Sequence, residues 1–152
     1  MGLPDLLQND ALRLSLVNAC TDLIDTQVAA KGGLGGMALK TTYGLVKSVG
    51  PEYIPGAVGR LLPEVLAALD PIWAEGLQTG SPTAYLMAQS ARTADSLLSV
   101  TDDRIVKASN GLVKASYQRL RQSVKGDVEA AVPDLAQILA NHTSQPSATS
   151  LN

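Results

Sequence analysis

Residues 9–36 read NDALRLSLVNACTDLIDTQVAAKGGLGG, and this stretch decides the fold class. Leu12, Leu16, Cys20, Leu23, Ile24 and Val28 recur at helical spacing, so a helix from Asn9 to about Lys31 has one apolar face. Asn9 is a suitable N-cap, because its side-chain oxygen can accept an N–H that the first turn leaves unpaired. The helix then runs into Lys31-Gly32-Gly33-Leu34-Gly35-Gly36, whose four glycines supply the backbone freedom to stop one helix and turn into the next.

The same signals recur outward from this stretch. A helix is expected from about Met37 to Val49, with Leu39, Tyr43 and Val46 on one face and Gly50-Pro51 as its breaker. From Pro55 to Leu69 the positions Val58, Leu61, Leu62, Val65, Leu66 and Leu69 are helical again, and Pro63 is expected to kink the helix or open a fresh segment. Asp70-Pro71 reads as the cap and first residue of a short helix carrying Ile72, Trp73 and Leu77. Gly80-Ser81-Pro82 marks another start before Tyr85, Leu86 and Met87. Leu97, Leu98 and Val100 belong to the next segment, and Thr101, followed by Asp102 and Asp103, reads as the cap of a further helix.

Gly111 to Val124 carries the stripe Val113, Tyr117, Leu120 and Val124, and a last helix, roughly Asp127 to Ala140, carries Val128, Val132, Leu135 and Leu139 with Pro133 inside it. No stretch alternates with period two for long enough to be a strand. The expectation is an all-α, compact bundle of six to eight helices over residues 1–140, followed by a disordered polar tail over 141–152.

A chain of 152 residues is the size of one domain and buries roughly 68–70% of its unfolded surface. Apolar residues make up 45% of it and aromatics 3%, with no Phe, so the core must come from Leu, Val, Ile and Ala. The formal charge of −2 argues against a nucleic-acid binder, but the segment from Arg104 to Lys125 holds six basic residues and no acidic one. Cys20 is the single cysteine, which excludes an internal disulfide and fits a reducing, cytoplasmic setting. No basic-then-apolar leader and no apolar run near the ~20 residues of a transmembrane span is visible.

The two halves echo each other. Lys40-Thr41-Thr42-Tyr43 matches Lys114-Ala115-Ser116-Tyr117, and Val46-Lys47 matches Leu120-Arg121 at the same offset. Gly56 and Val58 match Gly126 and Val128 at a second offset, and Leu62-Pro63-Glu64-Val65 matches Val132-Pro133-Asp134-Leu135, with Leu69 against Leu139. Chance alignment of amphipathic helices is one account of this internal repeat; two related helical units facing each other, with a groove between them, is the other.

Little in the chain can carry chemistry. The only histidine, His142, stands at the edge of the expected tail, so a Cys–His or Ser–His nucleophile is not expected. Cys20 lies on an apolar stripe as an inert thiol, and Asn18, Asp22 and Asp25 read as a solvated face without ligands to complete a metal shell. Gly32–Gly36 lacks the Gly-Lys-Ser/Thr ending of a phosphate loop. The candidate site residues are therefore the basic–tyrosine stripes, Lys40, Tyr43 and Lys47 and then Lys114, Tyr117 and Arg121, together with Arg104. Two such stripes can bind phosphate or anionic lipid headgroups, or they can be a solvated face with core tyrosines. No metal site or cofactor is expected.

Lys31-Gly32-Gly33, Ala38-Leu39-Lys40 with Tyr43, Arg60-Leu61-Leu62-Pro63, Thr101-Asp102 with Arg104, and Val128-Glu129-Ala130-Ala131-Val132-Pro133 together resemble an uncharacterised bacterial family, a domain of unknown function spanning all but the tail. The resemblance implies a small bacterial helical protein and transfers no catalytic residue. The expected function is a non-enzymatic protein-interaction or scaffold module, with self-association as a homodimer one form of it. The alternative is binding of an anionic lipid, or of a phosphorylated or apolar small ligand, in a groove between the repeats, with Met37, Met87 and Trp73 as adaptable lining. An enzyme would need a cleft gathering Asp22, Asp25, Lys40 or Arg104.

Overall fold

A computed structural model describes residues 2–121 and 123–143. Among these residues a 3₁₀ turn, Leu3–Gln8, precedes seven helices: α1 (Asp10–Ala30), α2 (Gly33–Lys47), α3 (Tyr53–Thr79), α4 (Pro82–Ala88), α5 (Ser90–Val106), α6 (Gly111–Arg121) and α7 (Lys125–Thr143). No described residue is in a strand, so the chain is an all-α bundle. Asn9 caps α1, accepting the Leu12 N–H at 3.0 Å. Gly33, at φ +72°, takes the left-handed turn into α2, and at Gly36 a Cβ would lie 2.1 Å from the Lys31 carbonyl oxygen. The second helix therefore starts within the glycine run, four residues before the expected Met37.

The third helix departs most from expectation. Neither Pro63 nor Asp70-Pro71 opens a new helix; α3 continues through both prolines for 27 residues, about 40 Å at 1.5 Å per residue. Pro63 and Pro71 are exposed, whereas Leu62, Leu66, Leu69, Ile72, Trp73 and Gly76 are buried. Each proline frees the carbonyl four residues back, and both of these, at Gly59 and Ala67, lie on the proline side where water can take the lost hydrogen bond. Pro133 of α7 is exposed in the same way, beside buried Val132 and Ala136. Continuous burial on the inner face outweighs two missing hydrogen bonds on the outer one, since each fully buried Leu stabilises by about 1.5–3 kcal/mol.

Asp70 is no helix cap; its carboxylate accepts the Leu3 N–H at 2.8 Å and so pins the 3₁₀ turn, with buried Leu3 and Leu6, onto α3. Thr101 also starts nothing, because α5 runs through it to Val106 and its hydroxyl bonds the Leu98 carbonyl at 3.0 Å. The last helix reaches Thr143, three residues beyond the expected boundary at 140. Its final turn is held by buried His142, whose Nδ1 lies 2.8 Å from the Ile138 carbonyl and whose Nε2 lies 3.0 Å from Ser15 Oγ of α1. Residues 144–152, most of the expected tail, lie outside the described residues.

The core gathers the inner faces of α1, α3, α4 and α7: Leu16, Leu66, Leu69, Leu86, Val132 and Leu139 are all within 1% of full burial. Helices α2 and α6 pack against each other outside this centre, while α3 packs on α5 and α1 on α7. The blocks 39–69 and 113–139 thus each contain the greater part of a short helix with the Lys-x-x-Tyr sequence, followed by a proline-bearing helix.

Candidate functional site

The two tyrosine stripes are not free cationic surfaces. Tyr43 of α2 donates to Asp25 Oδ1 of α1 at 2.6 Å, and Lys47 Nζ lies 3.8 Å from the same oxygen and 5.3 Å from the Tyr43 ring centre. Tyr117 of α6 donates to Asp102 of α5, and Arg121 grips that carboxylate with two bonds, Nε at 2.8 Å and Nη2 at 3.1 Å. In each half an Asp near the end of one helix is clasped by a Tyr and a cation one turn apart on the next. Buried Thr42 and Ser116, each preceding its tyrosine, fix the side on which that helix is packed.

These clasps set the charge states. The Arg121 guanidinium, with the Tyr117 hydroxyl, holds the Asp102 carboxyl below its usual range. Burial and the Asp102 carboxylate push the Tyr117 phenol up to about 12, and burial and Asp25 push Tyr43 up as well. Asp25, expected on a solvated face, is instead the partner of Tyr43 and Lys47. Cys20 is half-buried and its thiol is pushed up to about 11 by burial, which keeps it from being a nucleophile at neutral pH.

An open groove lies beside the second clasp. A groove of about 630 Å³ runs between the C-terminal part of α2, the start of α3, the end of α5 and α6. Its apolar walls include Val46, Ile54, Leu61, Ile105, Val113 and Leu120, and Ala57 and Ala108 leave it open. Arg60, Arg104 and Lys107 bring positive charge to it, and no Asp or Glu is among its lining residues. Arg104 braces two helices: Nη2 donates to the Arg60 carbonyl at 2.9 Å and Nε pairs with Glu64 at 2.8 Å.

Of the seven candidate residues, Arg104 and Tyr117 line this groove. Tyr43, Lys47 and Arg121 serve the clasps, and Lys40 and Lys114 are on neither feature. Trp73 is a core residue, Met37 and Met87 are exposed, and none of the three lines the groove. Arg60 is not visible as a candidate because it stands outside both the basic segment 104–125 and the two basic–tyrosine stripes. The clasping Asp25 and Asp102 had a readable signal, an Asp upstream of each Lys-x-x-Tyr.

Two further clusters escape sequence reasoning. Glu75 of α3 takes both guanidinium nitrogens of Arg92, at 2.8 and 2.9 Å, and the Tyr85 hydroxyl at 2.6 Å, tying α3, α4 and α5 together. Ser15 and His142 meet at 3.0 Å, a nucleophile–base spacing, but this contact lies mid-helix on α1 and away from the groove. Asp25 and Arg104 are engaged by separate partners rather than gathered in one cleft. Among the described residues no three His, Cys, Asp or Glu side chains are grouped to hold a metal, and no helix is long and apolar enough to cross a membrane.

Fold and groove define a small all-helical protein with an apolar, cation-bearing groove between helices. The chain belongs to the family of unknown function DUF6918, whose model matches residues 3–143. No curated protein and no solved structure matches it.

Proposed function

We propose that the protein is a non-enzymatic binding module that holds a small ligand with an apolar body in the groove between α2, α3, α5 and α6. One observation carries this: the groove's volume of about 630 Å³ falls inside the range of roughly 300–1,000 Å³ typical of ligand sites, with mostly apolar walls. Its aliphatic hydroxyls, from Thr101, Ser109 and Ser116, have no histidine beside them among the lining residues, which supports binding over hydrolysis. The lone, half-buried Cys20 fits a reducing compartment such as the cytoplasm.

The groove's position favours two related units, α1–α2–α3 and α5–α6–α7. The Asp–Tyr–cation clasp occurs once in each, and α2 meets α6 where two such units face each other. The test of the binding reading is NMR chemical-shift mapping of the full chain with 1-decanol. Saturable shifts confined to the amides of Ile54, Ala57, Leu61, Ile105 and Val113 are expected. Absence of saturable shifts, or shifts elsewhere, would refute it.

A second reading, self-association as an interaction module, is favoured by the outer face of α2, where Leu34 is 85% and Met37 66% exposed and Leu45 continues the same side. Sedimentation equilibrium decides it: a dimer dissociated by Leu34→Glu plus Met37→Glu supports this reading, and a monomer at all concentrations removes it.

A further inference from the structure

Given the groove reading above, on which this inference rests, we propose that the ligand is a single-chain amphiphile with an anionic head, a carboxylate or phosphate monoester, held by Arg60 and Lys107 while the chain lies along the apolar walls.

Charge complementarity selects the head group. Three cations line the groove and no carboxylate does. Glu64, which neutralises Arg104, lines instead a shallower depression between α3 and α5, together with Asp95, Asp103 and Arg92. Arg104 is thus already paired, and it holds the Arg60 carbonyl as well. Arg60 and Lys107 have no carboxylate within ion-pair distance among the described residues. Two uncompensated cations beside aliphatic walls repel an ammonium head and give a neutral one nothing beyond its apolar area. An anionic head gains charge-assisted hydrogen bonds, and the Arg60 fork suits a planar carboxylate or a phosphate.

The register between the halves explains why the groove is open at this place. With Asp25 on Asp102, Lys31 falls on Ala108; with Val58 on Val128, Asp127 falls on Ala57. Lys31 and Asp127 form an ion pair at 2.7 Å that ties the end of α1 to the start of α7, whereas Ala57 and Ala108 both line the groove. Where the two units meet, the contact that a bridge closes on one side is left to two methyl groups on the other, beside Arg60 and Lys107. A groove that had merely failed to pack would have no reason to exclude carboxylates from its lining.

The experiment measures binding of decanoate, 1-decanol and decyltrimethylammonium to the full chain at pH 8, each below its aggregation concentration, by titration calorimetry and shift mapping. Decanoate is expected to bind about tenfold more tightly than decanol, the size of one partly exposed charge-assisted hydrogen bond, and the ammonium more weakly than either. Arg60→Gln plus Lys107→Gln, both at exposed positions, is expected to reduce the decanoate preference to within about twofold and leave decanol affinity unchanged. Equal affinity for decanoate and decanol in the groove overturns the anionic head and spares the groove reading. A preference that survives the double substitution overturns the assignment to Arg60 and Lys107. If none of the three reaches the groove, both readings fall.

Discussion

Replacing Gly76 and Gly44 by alanine, one at a time, makes the same chemical change in two helices and is expected to move stability in opposite directions. Removing a glycine from a helix interior stabilises by about 0.5–1 kcal/mol, because the unfolded chain loses conformational freedom. At Gly44 of α2 an added Cβ meets nothing within 4 Å, so this gain should appear undiminished. At Gly76 of α3 the same Cβ would sit 2.6 Å from Pro82 Cα and 2.9 Å from Tyr85 Cβ, where α4 crosses. Those atoms belong to the backbone and stem of a seven-residue helix, itself held to α3 by the Tyr85–Glu75 hydrogen bond, so relief requires α4 to move as a body. Overpacking of this kind costs about 1–3 kcal/mol, and the upper half of that range applies because no flexible side-chain end can swing away. The net expectation for Gly76→Ala is a loss of about 1–2 kcal/mol, which separates the two variants by about 2–3 kcal/mol, or roughly 5–10 °C in Tm. Urea unfolding followed through the buried Trp73, the only tryptophan, reads this directly, with an unchanged m-value as the check on two-state behaviour. A Gly76→Ala protein as stable as the parent would refute the close α3–α4 approach, and a destabilised Gly44→Ala would refute the account of α2.

Thr93 is fully buried and its hydroxyl has no partner among the described residues, so Thr93→Val should stabilise by about 1 kcal/mol, and a lower urea midpoint would show that the hydroxyl is satisfied after all. Arg92 and Tyr85 hold Glu75 down at about 2, well below its ordinary 4.5, so its contribution is full above pH 4.5 and is lost as pH falls through 2. Glu75→Gln should therefore be less stable than the parent at pH 7, with the gap narrowing from pH 4.5 downward; a gap independent of pH contradicts this. Tyr117, raised to about 12, contributes stability present below the ordinary phenol value of 10 and lost as pH rises through 12. Absorbance at 295 nm should accordingly show Tyr117→Phe removing a late component of the alkaline titration, and loss of a component near pH 10 would be the contrary result. Ala57→Asp with Ala108→Lys should build a counterpart of the Lys31–Asp127 bridge across the groove and lower decanol affinity at least tenfold, as expected when bridging side chains occupy the bound chain's path; unchanged affinity would break the correspondence.

The all-helical class and most helices are legible because apolar residues at 3.6-residue spacing state both the element and its inner face. Leu12, Leu16 and Cys20 do this for α1, and Val132, Leu135 and Leu139 for α7. What misleads is punctuation. Pro63, Pro71 and Thr101 carry local stop or start signals, yet they stand in helices whose buried residues run on past them, and local preference loses to burial over several turns. The His142 contact with Ser15 is illegible for a different reason: 127 positions separate the partners, and no local pattern connects them. The tyrosine stripes were found as spacing but not as chemistry, since a cation's partner lies on another helix. Lys47 and Arg121 look like ligand-binding groups until Asp25 and Asp102 are placed beside them.

That distinction also separates the charges the fold uses from those it leaves open. A feature present in both halves, such as the Asp–Tyr–cation clasp, meets a demand both halves share, which is to seat a short helix on the one before it. Its charges are consumed internally, by a bidentate Arg–carboxylate contact in one case, so it has little left to offer a ligand. A contact made on one side of the meeting of the two halves and replaced on the other is one the fold does not require. The groove is of that kind: it has alanines where the other side has an ion pair, and among the described residues Arg60 and Lys107 have no carboxylate within ion-pair distance. Lys31 and Asp127 are half-buried, so their attraction is partly offset by desolvation, and replacing both partners of such a pair together by apolar groups costs the fold little. The resulting opening, with its unbalanced charge, is where selection for a ligand could act at small expense to stability.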